Sequence, residues 1–433
     1  MKRKLVAAVG AATMMVAVAA CGGSDSDSSK APKDRDGQLT VWLMVDAQTS
    51  WPELVTQANA EFNKKYPNVK VNVQYQQWGD KTKKLDAALS GDKFPDVVEL
   101  GNTETQTYIL NGALGDIDAK KYDNSDTWIK GLKDTCQYEG KLYCVPYYAG
   151  ARVAVYNKDM FKSATGKDTF PATETDLTGA LDKVGDKYGS EDKAFSPLYL
   201  PGRYWYAAMS YVAAYGGQIA TYDKDSKEWK GALSSPEAQK GVQHFVDLVK
   251  KYNHGDQTKD EADHANVMAN EKAAVIYGNA WEAANVVDPK ASGNAKLKDK
   301  IGTAAMPGPN GKTLPSFIGG SDLATVSKSD RQDLAQDWIS LFTGEKGEAG
   351  LAGKDILPNN TKQLEPLTKD PATAAAASAV PNAWFTPIAP GWAAIEKKET
   401  IELMLLDILK GKSVASATKA ADAEIDKMIN ESS

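Results

Sequence analysis

From Leu39 onward, short apolar runs alternate with amphipathic stretches. Leu39 to Val45 reads as a strand, and Ser50 to Lys65 places Trp51, Leu54, Val55, Ala58 and Phe62 at helical spacing. Val69 to Tyr75 alternates apolar and polar positions, which predicts a second strand. Asp80 to Ser90 reads as helix again, and Asp96 to Leu100 as a short buried strand. An order of βαβαβ predicts a mainly parallel sheet with helices on its faces, and ligands then collect beyond the carboxyl ends of the strands. The loops Asp46 to Thr49 and Gly101 to Glu104 are therefore the first candidates for a site.

Farther along, Ser235 and Pro236 open a helix through Lys251 with Val242, Phe245, Val246 and Val249 as its apolar stripe. Ser329 is placed to cap a helix carrying Leu334, Trp338, Leu341 and Phe342, which Gly344 ends; Trp338 is expected in the core. An alanine-rich helix at Ala372 to Ala379 and amphipathic helices at Ile401 to Ile408 and Val414 to Ile429 follow. Gly311–Lys312–Thr313 lacks the first glycine of a phosphate loop, and Asp223 and Asp225 begin a calcium-loop pattern that Lys227 and Glu228 break, so both read as turns.

The amino-terminal stretch has a different pattern. Lys2, Arg3 and Lys4 precede an apolar run from Leu5 to Ala17, then Val18, Ala19, Ala20 and Cys21. Small residues ahead of a cysteine predict a secretory signal over 1–20, cleaved so that Cys21 becomes the lipidated first residue. The run is too short to span a bilayer, for which about 20 apolar residues are needed. Residues 21–37 carry almost no apolar side chain and read as a flexible tether. The expected location is the outer face of the cell membrane.

Removal of 20 of 433 residues leaves 413, more than one core serves, so two domains are expected. Loss of the three leader cations takes the formal net charge from −6 to −9, which disfavours nucleic acid as a partner. Ten Trp and 18 Tyr against 9 Phe point to a wet surface that binds through ring faces. Cys136 and Cys144 flank a hairpin turn containing Glu139 and Gly140; a three-residue loop sets them opposite each other, and an oxidising compartment favours a disulfide.

Enzyme signatures are scarce. His244, His254 and His264 are too few for most hydrolytic schemes, and the latter two sit in a polar stretch without zinc-helix spacing; no metal or other cofactor is expected. The rivals that remain are a lipid-anchored glycosidase using paired carboxylates, with Glu104 and Glu282 as its candidates, and a structural surface lipoprotein with no small ligand.

Several segments taken in order resemble the bacterial extracellular solute-binding proteins of family 1, the carbohydrate-binding lipoproteins of ABC importers. They are Leu39–Thr40–Val41–Trp42, Phe94 to Val98 followed by Gly101 to Glu104, Gly112–Ala113–Leu114, Gly140 to Pro146 leading to Tyr156 to Phe161, and Glu271 to Val275 leading to Gly278–Asn279–Ala280–Trp281. The resemblance implies an α/β, two-lobed periplasmic-binding-protein fold of type II, with crossovers near Ala149 to Val155, Phe317 to Asp322 and Leu367 to Ala372. Lobe one would be 38–150 plus 318–368, and lobe two 151–317 plus 369–433. It implies a monomer that closes on an oligosaccharide and presents it to membrane permease subunits. Trp281 would stack on a sugar ring, with Trp392, Tyr204 and Trp205 as further aromatics. Asp46, Gln48, Asn102, Glu104, Tyr147, Arg152, Glu282, Ser321 and Asp322 would supply hydrogen bonds. The wording of Gly101 to Glu104 and Tyr147 to Arg152 is similar to actinobacterial receptors for β-linked disaccharides such as diacetylchitobiose; a maltose-type sugar is the other expectation.

Overall fold

The computed structural model describes residues 31–431, apart from 355 and 372. The expected signal and Cys21 lie outside the described residues. Strands β1 (Asp36–Met44), β2 (Asn68–Gln76) and β3 (Val97–Gly101) are joined by helices α1 (Val45–Thr49), α2 (Pro52–Lys65) and α3 (Lys81–Ser90). β1 lies between β2 and β3 and is parallel to both, as expected of βαβ units. Val55, Ala58 and Phe62, spaced three and four residues apart on α2, are the positions that this helix buries.

The end of the expected tether is instead docked. Asp36 and Gly37 pair with Asn68 and Val69 as part of β1. Arg35, 2% exposed, forms an ion pair of 2.5 Å with Asp333. Ion pairing and strand addition thus fix a segment that has almost no apolar side chain to bury.

Hairpin strands β4 (Gln137–Tyr138) and β5 (Lys141–Leu142) turn through Glu139 and Gly140, both at positive φ. This two-residue loop pairs Gln137 with Leu142, one residue out of the expected register. Cys136 and Cys144 still face each other, buried, with Cα atoms 4.9 Å apart.

β6 (Val145–Asn157) is buried along its whole length. The sheet continues through β7 (Ser196–Tyr199), β10 (Ala273–Asn279), β11 (Ile301–Ala304), β12 (Ser316–Thr325), β13 (Leu357–Pro358) and β14 (Ala383–Trp384), with β8 (Ala220–Asp223) and β9 (Glu228–Gly231) forming a separate hairpin. β6 pairs with β12 from Val145 to Ala151, then with β10 from Arg152 to Tyr156. β12 passes from β6 to β3 in the other direction. These two strands are the crossovers, and the approach is close: a Cβ on Gly320 would lie 2.1 Å from the Tyr148 carbonyl oxygen, so only glycine fits. The segment expected to hold the third crossover lies between the helices Thr361–Leu367 and Ala374–Ala379.

Among the described residues, three apolar clusters follow from this path. One, holding Leu39, Val41, Phe62, Val97 and Trp338, covers the β1–β3 sheet; a second, holding Phe161, Phe245, Trp392 and Ile425, fills the other lobe. A third gathers Ala149, Ala151, Val153, Ile276, Ile318 and Leu364 around the crossing strands. Ser235 caps the helix Pro236–Tyr252 by accepting from the Ala238 N–H. Ser329 does not cap its helix, which starts at Gln332; its hydroxyl donates to Asp96 at 2.7 Å. Among the described residues no helix is long and apolar enough to cross a membrane.

Candidate binding cleft

A cleft of about 550 Å³ lies between the lobes. Its first wall is built from the carboxyl ends of three parallel strands, where unpaired strand ends leave backbone and loop side chains facing a crevice. Asp46 follows β1 on α1, Trp78 and Lys81 follow β2, Gly101 ends β3, and Asn102 to Glu104 follow it. The Trp78 indole N–H donates to Asp46 Oδ2 at 2.5 Å. Lys81 Nζ lies 4.7 Å from the Trp78 ring centre and pairs with Glu104. Behind this wall Trp51 donates to the Tyr147 hydroxyl at 2.5 Å and meets Tyr148 edge-on.

The floor is the point where β6 changes partner. Arg152 sits there, its guanidinium 2.9 and 3.1 Å from the two carboxylate oxygens of Glu261. The same cation lies 4.5 Å from the Tyr206 ring centre and 4.8 Å from that of Phe317, so an almost buried charge is held by one anion and two ring faces. Gly319 leaves room for it.

The opposite wall is the turn that ends β10. Trp281 is 41% exposed, and its ring rests on Gly150, where a Cβ would come within 2.3 Å of Cζ3. Asn279 and Asn285 line the cleft beside it. Glu282 turns back and accepts the Asn279 backbone N–H at 2.8 Å. Burial pushes its carboxyl up to about 7. His264, fully buried with Nδ1 3.7 Å from Glu282, is pushed down to about 3 by desolvation, with Arg152 repelling its charged form.

Of the expected site residues, Asp46, Asn102, Glu104, Arg152 and Trp281 come together around this space. The others do not line it. Gln48 points to solvent from α1. Tyr147 has no exposure and faces the core, because successive strand residues point to opposite sides and Tyr148 takes the cleft side. Tyr204 packs on His264, and Trp205 stacks on Tyr206 at 4.0 Å and reaches toward Trp392. In that loop the lining residue is Tyr206, since the helix Trp205–Ala214 starts at once and turns Trp205 inward. Ser321 and Asp322 are buried in β12, where Asp322 accepts from the Thr105 hydroxyl at 2.7 Å. Trp392, 2% exposed, belongs to the second lobe's core. His264, expected on a polar surface, is interior.

Lining residues not anticipated include Trp78, Lys81, Tyr148, Tyr206, Glu261, Asn279, Asn285 and Phe317. The signal for Trp78 was available: it follows β2 as Asp46 follows β1. Glu104 and Glu282 do not form a glycosidase pair, for one is tied to Lys81 and the other is turned behind Asn279.

A sequence profile described as "Bacterial extracellular solute-binding protein" matches residues 57–381. The chain is 34% identical over 441 aligned residues to "Diacetylchitobiose binding protein DasA" of Streptomyces coelicolor, covering 99% of each. It is 25% identical to "Maltodextrin-binding protein MdxE" of Bacillus subtilis, covering 97% of this chain and 96% of that one. In fold it is similar to the GacH receptor of Streptomyces glaucescens, with a TM-score of 0.76, 21% identity, and coverage of 92% and 99%. These relatives are binding proteins rather than enzymes, and the chain belongs with them to the bacterial extracellular solute-binding proteins.

Proposed function

We propose that the protein is the receptor of an ABC importer and captures an oligosaccharide, a β-linked disaccharide such as diacetylchitobiose, in the interlobe cleft. The observation that carries this reading is a pair of half-exposed tryptophans, Trp78 at 37% and Trp281 at 41%, one from each lobe, lining the same space. The axial C–H face of a pyranose is apolar and matches an indole, while Asp46, Asn102, Glu104, Arg152 and Asn279 offer hydrogen bonds to hydroxyl and acetamido groups. A volume of about 550 Å³ is within the range of small-molecule sites. The name of the Streptomyces coelicolor relative supports the choice of sugar.

In this reading no bond is made or broken. The sugar touches both lobes at once only when they are closed, so it stabilises that state, and a permease recognises the closed form. The lobes divide at 150/151, 317/318 and 368/369, Cys21 carries the lipid, the receptor is a monomer, and the Cys136–Cys144 pair is oxidised outside the cell.

A thermal-shift panel tests the sugar. A ligand that binds only the native state raises the melting temperature by mass action. Among neutral disaccharides, diacetylchitobiose should raise it most. A larger rise with maltose would move the assignment to the maltose-type class that the Bacillus subtilis relative's name supports, and no rise with any glycan would remove it.

A further inference from the structure

Among the described residues, five charged side chains line the cleft: Asp46, Glu104 and Glu261 against Lys81 and Arg152. Two pairs are closed. Lys81 is spent on Glu104, and Arg152 holds both oxygens of Glu261. Asp46 has only a neutral partner, the Trp78 indole N–H, and among the described residues no cation lies within ion-pair distance of it. The further acids near these walls, Glu99 under Asp46, Glu282 behind Asn279 and Glu396 beside Glu104, add no positive charge. The uncompensated carboxylate therefore stands at the edge of one of the two rings, in a partly closed space where a charge is weakly screened.

We infer that Asp46 makes the cleft select its glycan by charge: a disaccharide with a protonated free amine is accepted at Asp46, and one with a carboxylate or phosphate is rejected. This rests on the saccharide reading above and goes beyond it, since aromatic platforms and hydroxyl contacts alone do not discriminate charge. Like-charge juxtaposition is a common way to build such rejection.

The experiment is titration calorimetry at pH 6 and low salt with three β-linked disaccharides: diacetylchitobiose, its fully deacetylated form, and cellobiuronic acid. The deacetylated sugar should bind within about threefold of the acetylated one or more tightly, and the uronic acid at least about tenfold more weakly, the scale of one modest electrostatic contact. In Asp46→Asn the ratio of deacetylated to acetylated affinity should fall about tenfold, and raising salt should lower the same ratio in the wild type, a readout that does not depend on how the variant folds. An unchanged ratio in both, or equal binding of the uronic acid, overturns the inference while leaving the saccharide reading intact. If none of the three binds, the saccharide reading itself fails, and the inference with it.

Discussion

Trp281→Ala is the perturbation whose size follows most directly from the geometry. The indole is 41% exposed. A large aromatic side chain carries about 150–250 Å² of surface, so a sugar face laid on the free part covers roughly 60–100 Å² of ring. At about 25 cal/mol per Å² that contact contributes about 1.5–2.5 kcal/mol. Removing it should weaken diacetylchitobiose by about ten- to seventyfold, at 1.4 kcal/mol per decade. The fold should tolerate the change, because the ring rests on Gly150 at the cleft surface rather than in a core cluster. Calorimetry of wild type, Trp281→Ala and Trp281→Phe, with melting temperatures for each, is the assay. Wild-type affinity in a folded Trp281→Ala would refute the stacking role.

Three further outcomes are expected. Gly150→Ala places a Cβ 2.3 Å from Trp281 Cζ3; the ring must shift, so sugar affinity should fall with the melting temperature nearly unchanged, and retained affinity would show that the ring position is unimportant. Replacing Cys136 and Cys144 by Ala opens a loop with a sequence separation of 8 and should cost about 2–3 kcal/mol in denaturant unfolding without changing affinity; two free thiols in the native protein, with no loss in the variant, would contradict the pairing. Burial holds Glu99, Glu282 and Asp322 at about 7, so between their ordinary values and 7 the folded state binds more protons than the unfolded one, and stability falls as pH rises through that window. His264, held at about 3, acts in the opposite direction below its ordinary value, but it is one group against those three and against Glu396 and Glu402, which burial raises to about 8 and about 7. The protein should therefore melt higher near pH 5 than near pH 8, with Glu282→Gln shrinking the difference; a melting temperature that rises steadily from 5 to 8 would exclude this.

Much of the first lobe was legible because α2 has one buried stripe and β1 to β3 have few alternatives: each expected element lies within a few residues of the observed one. The crossing strands were legible as positions but not as faces. Tyr147 and Tyr148 look alike in sequence, and which one meets the cleft is decided by the register of β6 on β12. Trp205 and Tyr206 exchange roles for a similar reason, since the helix start fixes which residue turns inward. The resemblance implies a ligand contact for Glu282, yet its partner is a backbone N–H three residues away. Such assignments depend on contacts between distant segments, which periodicity does not contain. Trp78 is different, because the strand-end rule pointed to it as clearly as to Asp46. The docking of Arg35 on Asp333 was hidden for another reason: composition speaks of what a segment can bury, not of which distant charge it meets.

The most direct test is a crystal structure of the protein grown with diacetylchitobiose. The account predicts one disaccharide between the lobes, its two rings lying on the indoles of Trp78 and Trp281 and its polar groups within hydrogen-bond distance of Asp46, Asn102 or Asn279. A sugar bound elsewhere, or one that touches neither tryptophan, would contradict it.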